Sequence, residues 1–331
     1  MPPQSQVDIW ALSDLCTPWC VHVVATLRIA EHIAAGITRI DGLAAASGAH
    51  SDSLHRVLRH LVSKGVFEET TPGLFALNEP ARALLDSSAQ LGFDLDGMGG
   101  RMAYAWGSLL SAVRTGAPAY AAFFGRPFWE DLEANPDISA KFDALMGTAG
   151  HGTPDPEVLV SGDWESVRTV VDVGGGTGAL LAEILRTRPA VLGTLVDLPA
   201  TIARSGEVFE AAGVADRVTT VAQSFFDPLP AGADIYMLKS VLGDWPDREA
   251  LVILTHCAEA ARPAGRVVVL NGVSPDEMNG PPPALLMMVL VGGRERNLTE
   301  FRELARAAGL EVQTAERLPS GRFVVECRPI P

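Results

Sequence analysis

Apolar residues recur at helical spacing in the first part of the chain. The segment from Ser51 to Lys64 has five aliphatic residues on one face, which predicts an amphipathic helix that begins at a Ser/Asp cap. Two short runs, residues 66–69 and 74–77, follow it and flank the turn sequence Thr71-Pro72-Gly73, so we predict two strands joined by a turn. A helix followed by such a hairpin is typical of a winged helix-turn-helix.

Residues 8–47 also show helical periodicity, but they are apolar on almost every side. A helix that is apolar all round must be buried. We therefore predict that this region packs against another chain. The aliphatic residues in question are Ile9, Leu12, Leu15, Val21, Val24, Leu27, Ile29, Ile33 and Ile37.

Two functions are open for a winged helix of this kind. The predicted helix from Ser51 carries several basic side chains and could contact DNA, or the whole region could serve only for dimerisation. The net charge of −14 and the sequence pI near 4.9 favour dimerisation, because nucleic acid and anionic membranes attract basic surfaces. We predict a homodimer that binds neither nucleic acid nor membrane.

From Val167 onward, short apolar runs alternate with helical patterns. This alternation predicts a mostly parallel α/β sheet, and two final runs near 310–315 and 322–326 predict an antiparallel edge. Between the two regions, residues 97–161 are predicted to be mainly helical and are rich in aromatic residues, some of which we expect to line a pocket. The predicted domains are residues 1–95, 96–162 and 163–331.

The Gly-rich stretch at residues 174–178 follows a buried β-branched strand and precedes a helix. Glycines are needed where backbone turns with positive φ and a ligand approaches closely. Asp197 ends the next predicted strand about twenty residues later, where an acid can bind ribose hydroxyls. The loop also fits a loose dinucleotide fingerprint, but Asp172 at the strand end and the density of glycines favour S-adenosylmethionine. A glycine turn without a ligand is the third interpretation.

The remaining composition limits the class of protein further. The four cysteines are scattered without metal-ligand spacing, so we predict reduced core residues and no metal site. No basic stretch precedes an apolar run at the N-terminus, and no apolar stretch reaches 18 residues, so we predict neither a signal peptide nor a membrane span. We therefore expect a cytoplasmic protein.

Several segments together give the chain a specific resemblance. They are VRTGAPAY (113–120), FGRPFWEDL (124–132), VVDVGGGTG (170–178), VDLP (196–199), SFFDPLP (224–230), LKSVLGDWPD (238–247), GGRER (292–296) and the final hairpin. With the winged helix, they resemble the small-molecule S-adenosylmethionine-dependent O-methyltransferases, which include caffeate-type plant enzymes and actinobacterial enzymes acting on polyketide and aromatic natural products. The resemblance implies a Rossmann-like class I methyltransferase domain preceded by a mainly helical, winged-helix dimerisation domain. It also implies S-adenosylmethionine or S-adenosylhomocysteine as the cofactor.

The resemblance further implies which residues form the site. Those expected at the cofactor are Asp172, Gly174 and Gly176 at its methionine part, Asp197 at the ribose, Leu198, Ser224 and Phe225 at the adenine, and Lys239 and Trp245 near the methionine end and base. Those expected at the acceptor substrate are Trp106, Phe142, Met146, Gly243 and Asn271.

The chain departs from this family at the catalytic base. Gly243 stands where family members have the histidine that takes the acceptor's proton, and Asn271 stands where an orienting acid is usual. Glu295 retains the family's acid. His151 and Asp244 are candidate replacement bases, and close alignment alone can also drive methyl transfer.

We predict an O-methyltransferase that acts on an aromatic or polyketide intermediate by proximity. The alternatives are a non-methylating enzyme of the same fold, such as a hydroxylase, decarboxylase or pericyclase, and an inactive partner subunit.

Overall fold

The computed structural model describes residues 7–147, 154–160, 162–275 and 285–331. The chain divides into two compact units, with the division between Ala103 and Tyr104. His151, a candidate base, lies outside the described residues.

The first unit is a helical bundle with a small hairpin. Its strands β1 (Glu68–Thr71) and β2 (Leu74–Ala76) pair antiparallel, as predicted for the wing. The helix before them begins one residue after His50, which makes no side-chain cap bond, and the Ser51 hydroxyl donates to Asp41 instead, so the predicted Ser/Asp cap is wrong. The helices are Ile9–Leu12, Cys16–Thr26, Ile29–Ala34, Ile40–Ser47, Ser51–Ser63, Glu79–Arg82 and Ser87–Phe93.

The apolar surface of the first helices is only partly covered within the chain. Val24 and Ile29 are buried in the core of this unit, as expected. Trp10 and Leu12 are 83% and 72% exposed, and the neighbouring Ile9 and Leu15 are exposed to a similar extent. An apolar patch of this kind is typical of an interaction surface.

The cysteines differ from the prediction in one respect. Cys16 is exposed, so it is not a core residue, whereas Cys20, Cys257 and Cys327 are buried and all four are free. The fold also brings Cys16, Cys20 and His60 within 4.8 Å of one another, which the sequence spacing did not indicate. The His60 Nε2 atom lies 2.9 Å from the Thr17 hydroxyl, which satisfies the imidazole.

The second unit is built on a seven-stranded sheet. Its strands are β3 (Thr169–Val173), β4 (Leu192–Asp197), β5 (Val218–Ala222), β6 (Ile235–Lys239), β7 (Arg266–Leu270), β10 (Leu310–Arg317) and β11 (Phe323–Pro329). The spatial order is β10-β11-β7-β6-β3-β4-β5. The five strands from β3 to β7 are parallel to one another, and β10 and β11 form the antiparallel edge. A two-stranded parallel pair, β8 (Val273–Ser274) with β9 (Arg296–Asn297), lies apart from this sheet.

Helices cover this sheet and precede it. They are Ala179–Thr187, which follows the Gly-rich stretch as predicted, Pro199–Ala211, Asp247–Ala260, Leu285–Val291 and Leu298–Ala307. The helices before the sheet are Met98–Ala105, Leu109–Thr115, Ala121–Phe124, Phe128–Ala134 and Pro136–Met146.

The strand order indicates where a ligand-binding crevice lies. The chain runs from β3 outward to β5 and then returns to the other side of β3 to form β6 and β7. In open α/β sheets, ligands bind at the carboxyl ends of the strands where the order reverses. That point is the junction of β3 and β6. Within the described ranges, no helix combines the length and apolar character needed to cross a bilayer.

Candidate functional site

A cavity of about 620 Å³ opens at the carboxyl ends of β3, β4 and β6 in the second unit. One side consists of the Gly-rich loop and strand-end carboxylates. Another side consists of aromatic residues from the helices Phe128–Ala134 and Pro136–Met146 and from the segment after β6. A polar end and a flat apolar end suit a ligand of mixed character.

Asp172 is the most buried charged group in this cavity. Its side chain is 1% exposed, and neither carboxylate oxygen has a hydrogen-bond partner among the described residues. Burial raises its pKa to about 7, the Lys239 charge opposes the rise, and the Asp197 charge adds to it. A buried carboxylate without partners is costly unless a ligand supplies donors.

The glycine loop lies directly against this carboxylate. Gly174 and Gly176 have φ of 68° and 62°, which side chains rarely adopt. A β-carbon on Gly175 would come within 2.5 Å of the Asp172 carboxyl group. Gly176, in contrast, faces open space. The loop therefore packs closely on one side and leaves room for a ligand on the other.

Asp197 at the end of β4 anchors the loop from the next strand. Its two oxygens accept hydrogen bonds from the backbone N–H groups of Gly176 at 2.8 Å and Leu198 at 2.7 Å. Burial raises its pKa to about 6, although both backbone donors oppose that rise. The carboxylate thus fixes the loop and still borders the cavity.

Aromatic rings form the apolar part of the cavity. Trp129 and Trp245 are nearly parallel, with an interplanar angle of 17° and ring centroids 6.0 Å apart. Trp245 also meets Phe225 edge-on, and Phe142 packs edge-on against Trp129. The buried indole Nε1 of Trp129 has no hydrogen-bond acceptor among the described residues. This side offers flat apolar surfaces and one unused donor.

The helix that contributes Phe142 is tied to the helix after β4. Arg204 of Pro199–Ala211 donates from Nε to Asp143 at 2.8 Å and from Nη2 to Ser139 at 3.0 Å. Both acceptors lie on the helix Pro136–Met146. These two hydrogen bonds hold the helix that carries Phe142 in a fixed position relative to the strand ends.

A buried arginine donates hydrogen bonds to the backbone of the turn after β6. The Arg296 guanidinium is 1% exposed and donates to the carbonyls of Leu242 at 2.9 Å and Trp245 at 2.8 Å and to Asp247 at 2.9 Å. Asp244 lies in this turn and borders the cavity, and burial raises its pKa to about 7.

Gly243 lies in the same turn among other glycines. A β-carbon on Gly243 would approach the Cα atom of Gly272 to 3.5 Å, an ordinary contact. A β-carbon on Gly293 would come within 2.3 Å of the Gly243 carbonyl oxygen. Gly243 itself does not border the cavity formed by the described residues.

Most of the residues expected from the sequence border this one cavity. They are Asp172, Gly174, Gly176, Asp197, Leu198, Ser224, Phe225, Lys239, Trp245, Phe142, Met146, Asn271 and Asp244. Trp106 is 43% exposed and Glu295 is exposed, and neither lies in the cavity lining.

The sequence interpretation did not single out three arginines and one tryptophan of the site. Trp129 and Arg296 fall inside the quoted segments FGRPFWEDL and GGRER. These segments supported the family resemblance, but they did not indicate what either side chain contacts. Arg204 and Arg322 lie outside any pattern with a known spacing, and only the fold brings them to the site.

The site fits S-adenosylmethionine by its own features. The unpartnered Asp172 carboxylate suits an ammonium group, Asp197 at the next strand end suits ribose hydroxyls, and Gly176 leaves room for backbone contact. The flat apolar surfaces of Phe225 and Trp245 suit a base or an aromatic ring.

Comparison with known proteins agrees with this geometry. The model of the O-methyltransferase domain family matches residues 106–311, and the model of the O-methyltransferase dimerisation domain matches residues 10–87. The chain therefore belongs to the O-methyltransferase family. The predicted fold class, methyltransferase activity and cofactor are confirmed.

Individual relatives cover nearly the whole chain. The 2,7-dihydroxy-5-methyl-1-naphthoate 7-O-methyltransferase of Streptomyces carzinostaticus is 42% identical over 94% of each chain. The aclacinomycin 10-hydroxylase RdmB of Streptomyces purpurascens is 38% identical over 93% of this chain and 86% of its own. The crystal structure of the O-methyltransferase NcsB1 from neocarzinostatin biosynthesis, in complex with S-adenosylmethionine and 2-hydroxy-5-methyl naphthoic acid, is 39% identical. It superposes with a TM-score of 0.90 over 99% of this chain and 100% of its own.

Proposed function

We propose that this methyltransferase methylates a hydroxyl group on a flat aromatic or polyketide intermediate of natural-product biosynthesis. The observation that carries the proposal is the aromatic wall of Trp129, Phe142 and Trp245 in the same cavity as the unpartnered Asp172. Relatives that act on a naphthoate and on other aromatic compounds support this acceptor class.

The family resemblance supplies the role that we propose for each cofactor-binding residue, and all of these residues border the cavity. Asp172, Gly174 and Gly176 hold the methionine part, and Asp197 holds the ribose. Leu198, Ser224 and Phe225 border the adenine, with Lys239 and Trp245 completing the enclosure. When bound, the cofactor supplies an electrophilic methyl group beside a hydroxyl acceptor. The apolar walls exclude water from that contact.

Catalysis then depends on alignment more than on a dedicated base. Gly243 has no group that takes a proton, and Glu295 is exposed away from the cavity lining. Holding the two reactants in line supplies several kcal/mol, roughly 7–11 in well-oriented systems. Asp244 is the carboxylate we assign to receive the acceptor's proton, because it borders the cavity and its pKa of about 7 suits proton transfer near neutral pH.

The enzyme acts as a homodimer in this proposal. The match to a dimerisation domain over residues 10–87 and the exposed apolar residues around Trp10 support that assembly. The absence of nucleic-acid binding and the cytoplasmic location predicted from the sequence remain predictions.

A direct assay tests the proposal. The protein is incubated with S-adenosylmethionine and a panel of hydroxynaphthoates and related phenols, and S-adenosylhomocysteine and methylated product are quantified together. We expect equal amounts of both, and we expect Asp244→Asn to lower kcat at neutral pH far more than it changes KM. Product formation without S-adenosylhomocysteine would contradict methyl transfer.

A second candidate function is hydroxylation with the cofactor bound but not consumed. The relative named as a hydroxylase, 38% identical over 93% of this chain, favours this alternative. The replacement of the family's histidine by Gly243 is compatible with it. The same assay, run in air with an added reductant, separates the two functions, because hydroxylation inserts one oxygen atom of O2 and reduces the other to water while S-adenosylmethionine is recovered.

A further inference from the structure

Among the charged groups that line the cavity, Asp172, Lys239 and Arg322 have no ion-pair partner in the described residues. Asp172 has no hydrogen-bond partner for either carboxylate oxygen. Neither Lys239 nor Arg322 lies within 4.0 Å of a carboxylate oxygen in the described part of the chain, and both border the same cavity. Because unpaired charges are costly away from water, such a group is expected to meet a ligand of matching charge.

The strand register puts the three groups at one edge and on one face of the sheet. Met237 of β6 pairs with Asp172, and Leu270 of β7 pairs with both Lys239 and Val324 of β11. Arg322 lies two residues before Val324, so it extends past the carboxyl end of β7 on the face that Val324 occupies.

The buried neighbours confirm that this face is shared. Val170, Met237 and Val324 belong to one hydrophobic cluster, and each lies two residues from Asp172, Lys239 or Arg322. Residues two apart in a strand point to the same side. One carboxylate and two cations therefore converge from three different strands.

We propose that Arg322, together with Lys239, binds the carboxylate of the amino-acid end of S-adenosylmethionine, while Asp172 binds its ammonium group. This assignment rests on the proposed function. Arg322 is a cofactor-binding residue that comes from the closing hairpin and lies outside the glycine loop and the strand-end acids.

The guanidinium is already positioned for this role. Arg322 Nη1 donates to the carbonyl of Asp155 at 3.2 Å, which uses one of its five N–H groups and leaves a fork for a carboxylate. Burial lowers the pKa of Lys239, the Asp172 charge opposes this effect, and the Arg322 charge adds to it. A bound carboxylate relieves the repulsion between the two cations.

The surrounding charges favour a zwitterion over a simple anion. Asp172, Asp197 and Asp244 border the cavity, as do Glu133 and Asp155. An α-amino acid presents an ammonium group to Asp172 and a carboxylate to the two cations, whereas a carboxylate alone at this point leaves the buried Asp172 without a partner.

Binding measurements on three nucleosides test the assignment. Isothermal calorimetry on the full chain compares S-adenosylhomocysteine, its decarboxylated form S-adenosyl-3-thiopropylamine, which lacks only the carboxylate, and 5′-methylthioadenosine, which lacks the whole amino-acid end. We expect Arg322→Met to weaken S-adenosylhomocysteine roughly 10- to 100-fold, as for a lost charge-assisted hydrogen bond. The other two nucleosides should bind Arg322→Met and wild type equally.

A matched control is available on the same strand. Arg328 also donates to a backbone carbonyl, that of Ala264, but does not border this cavity. We expect Arg328→Met to bind all three nucleosides like wild type, and thermal melts to show that both variants are folded.

Other results would overturn the assignment. They are unchanged affinity of Arg322→Met for S-adenosylhomocysteine, an equal loss for all three nucleosides, and a loss of acceptor affinity alone, which would place Arg322 at the substrate. Failure of the wild-type protein to bind S-adenosylhomocysteine would instead contradict the proposed function itself.

Discussion

The Asn271 side chain donates from Nδ2 to the Ser240 hydroxyl at 2.9 Å, across the carboxyl ends of β7 and β6. Both residues have left-handed backbone, with φ of 62° and 57°, and both border the cavity. Such conformations are strained for residues with side chains and cluster at functional sites, although asparagine tolerates them best. The position where the family resemblance implies an acid is therefore occupied by an amide that holds two strand ends together.

Gly243→His tests whether a base at the position where the family resemblance implies a histidine would speed this enzyme. A β-carbon at position 243 would lie 3.5 Å from its nearest neighbour, the Cα atom of Gly272, which is an ordinary contact. We therefore expect a folded protein. We expect no gain in kcat, because Asn271 is a neutral amide engaged with Ser240 and does not orient an imidazole as an acid would.

The double variant Gly243→His/Asn271→Asp adds the acid, and aspartate tolerates the left-handed backbone. We expect it to remain no faster than wild type in steady-state assays on the native acceptor. A clear increase in kcat for either variant would show that the enzyme is limited by the absence of a base at position 243.

Asp197→Ala should weaken S-adenosylhomocysteine binding. The change removes the proposed ribose partner and also the acceptor for the backbone N–H groups of Gly176 and Leu198. We expect a loss of about 1–3 kcal/mol in binding free energy, as for an unpaired buried polar group. Calorimetry measures the loss, and Asp216→Ala, in the turn before β5, is a control for which affinity should not change.

The buried Asp172 should make the ligand-free protein less stable as pH rises. Its pKa is about 7 in the folded state against 3.8 as the ordinary value, so between those pH values the folded state binds more protons than the unfolded state. Stability from this group is present below about pH 4 and is lost as pH rises toward 7, at roughly 1.4 kcal/mol per pKa unit.

Urea unfolding of wild type and Asp172→Asn between pH 4.5 and 8 isolates this contribution. The stability of the variant relative to wild type should increase with pH over that range. A difference that stays constant with pH would show that the Asp172 pKa is ordinary.

Arg296→Met should destabilise the turn after β6. The change removes the guanidinium donor from the carbonyls of Trp245 and Leu242, of which Leu242 keeps only the backbone N–H of Trp245 at 3.3 Å, at a cost of roughly 2–5 kcal/mol in the free energy of unfolding. The exposed Arg302→Met is the control and should change stability by less than about 0.5 kcal/mol. Chemical denaturation compares the two, and equal stabilities would contradict the buried role of Arg296.

The exposed apolar start of the chain should form the dimer contact. We expect the wild-type protein to be a dimer that buries more than about 2,000 Å². The double variant Trp10→Glu/Leu12→Glu places charges on side chains that are 83% and 72% exposed within the chain, and it should sediment as a monomer. Leu192→Glu, an exposed apolar position on the other unit, should remain dimeric. A monomeric wild type at micromolar concentration would refute this interface.

Much of the site was set by local sequence. The Gly-rich loop, Asp172 and Asp197 lie within about 25 residues, where strand, turn and helix periodicity and the φ requirements of glycine are local properties. For the same reason the alternating elements and the antiparallel edge were predictable, and the two runs predicted for that edge lie within a few residues of β10 and β11.

Other features depended on residues far apart in sequence. Arg322 borders the same cavity as Lys239 and Asp172 only because β11 pairs with β7, and Arg204 reaches Asp143 only through the packing of two helices. The exposure of Cys16 likewise depends on the tertiary structure. So does the hydrogen bond that the Ser51 hydroxyl donates to Asp41, in place of the predicted helix cap. Periodicity reports which face of an element is apolar, but the strand order and the packing of helices decide which side chains that face meets.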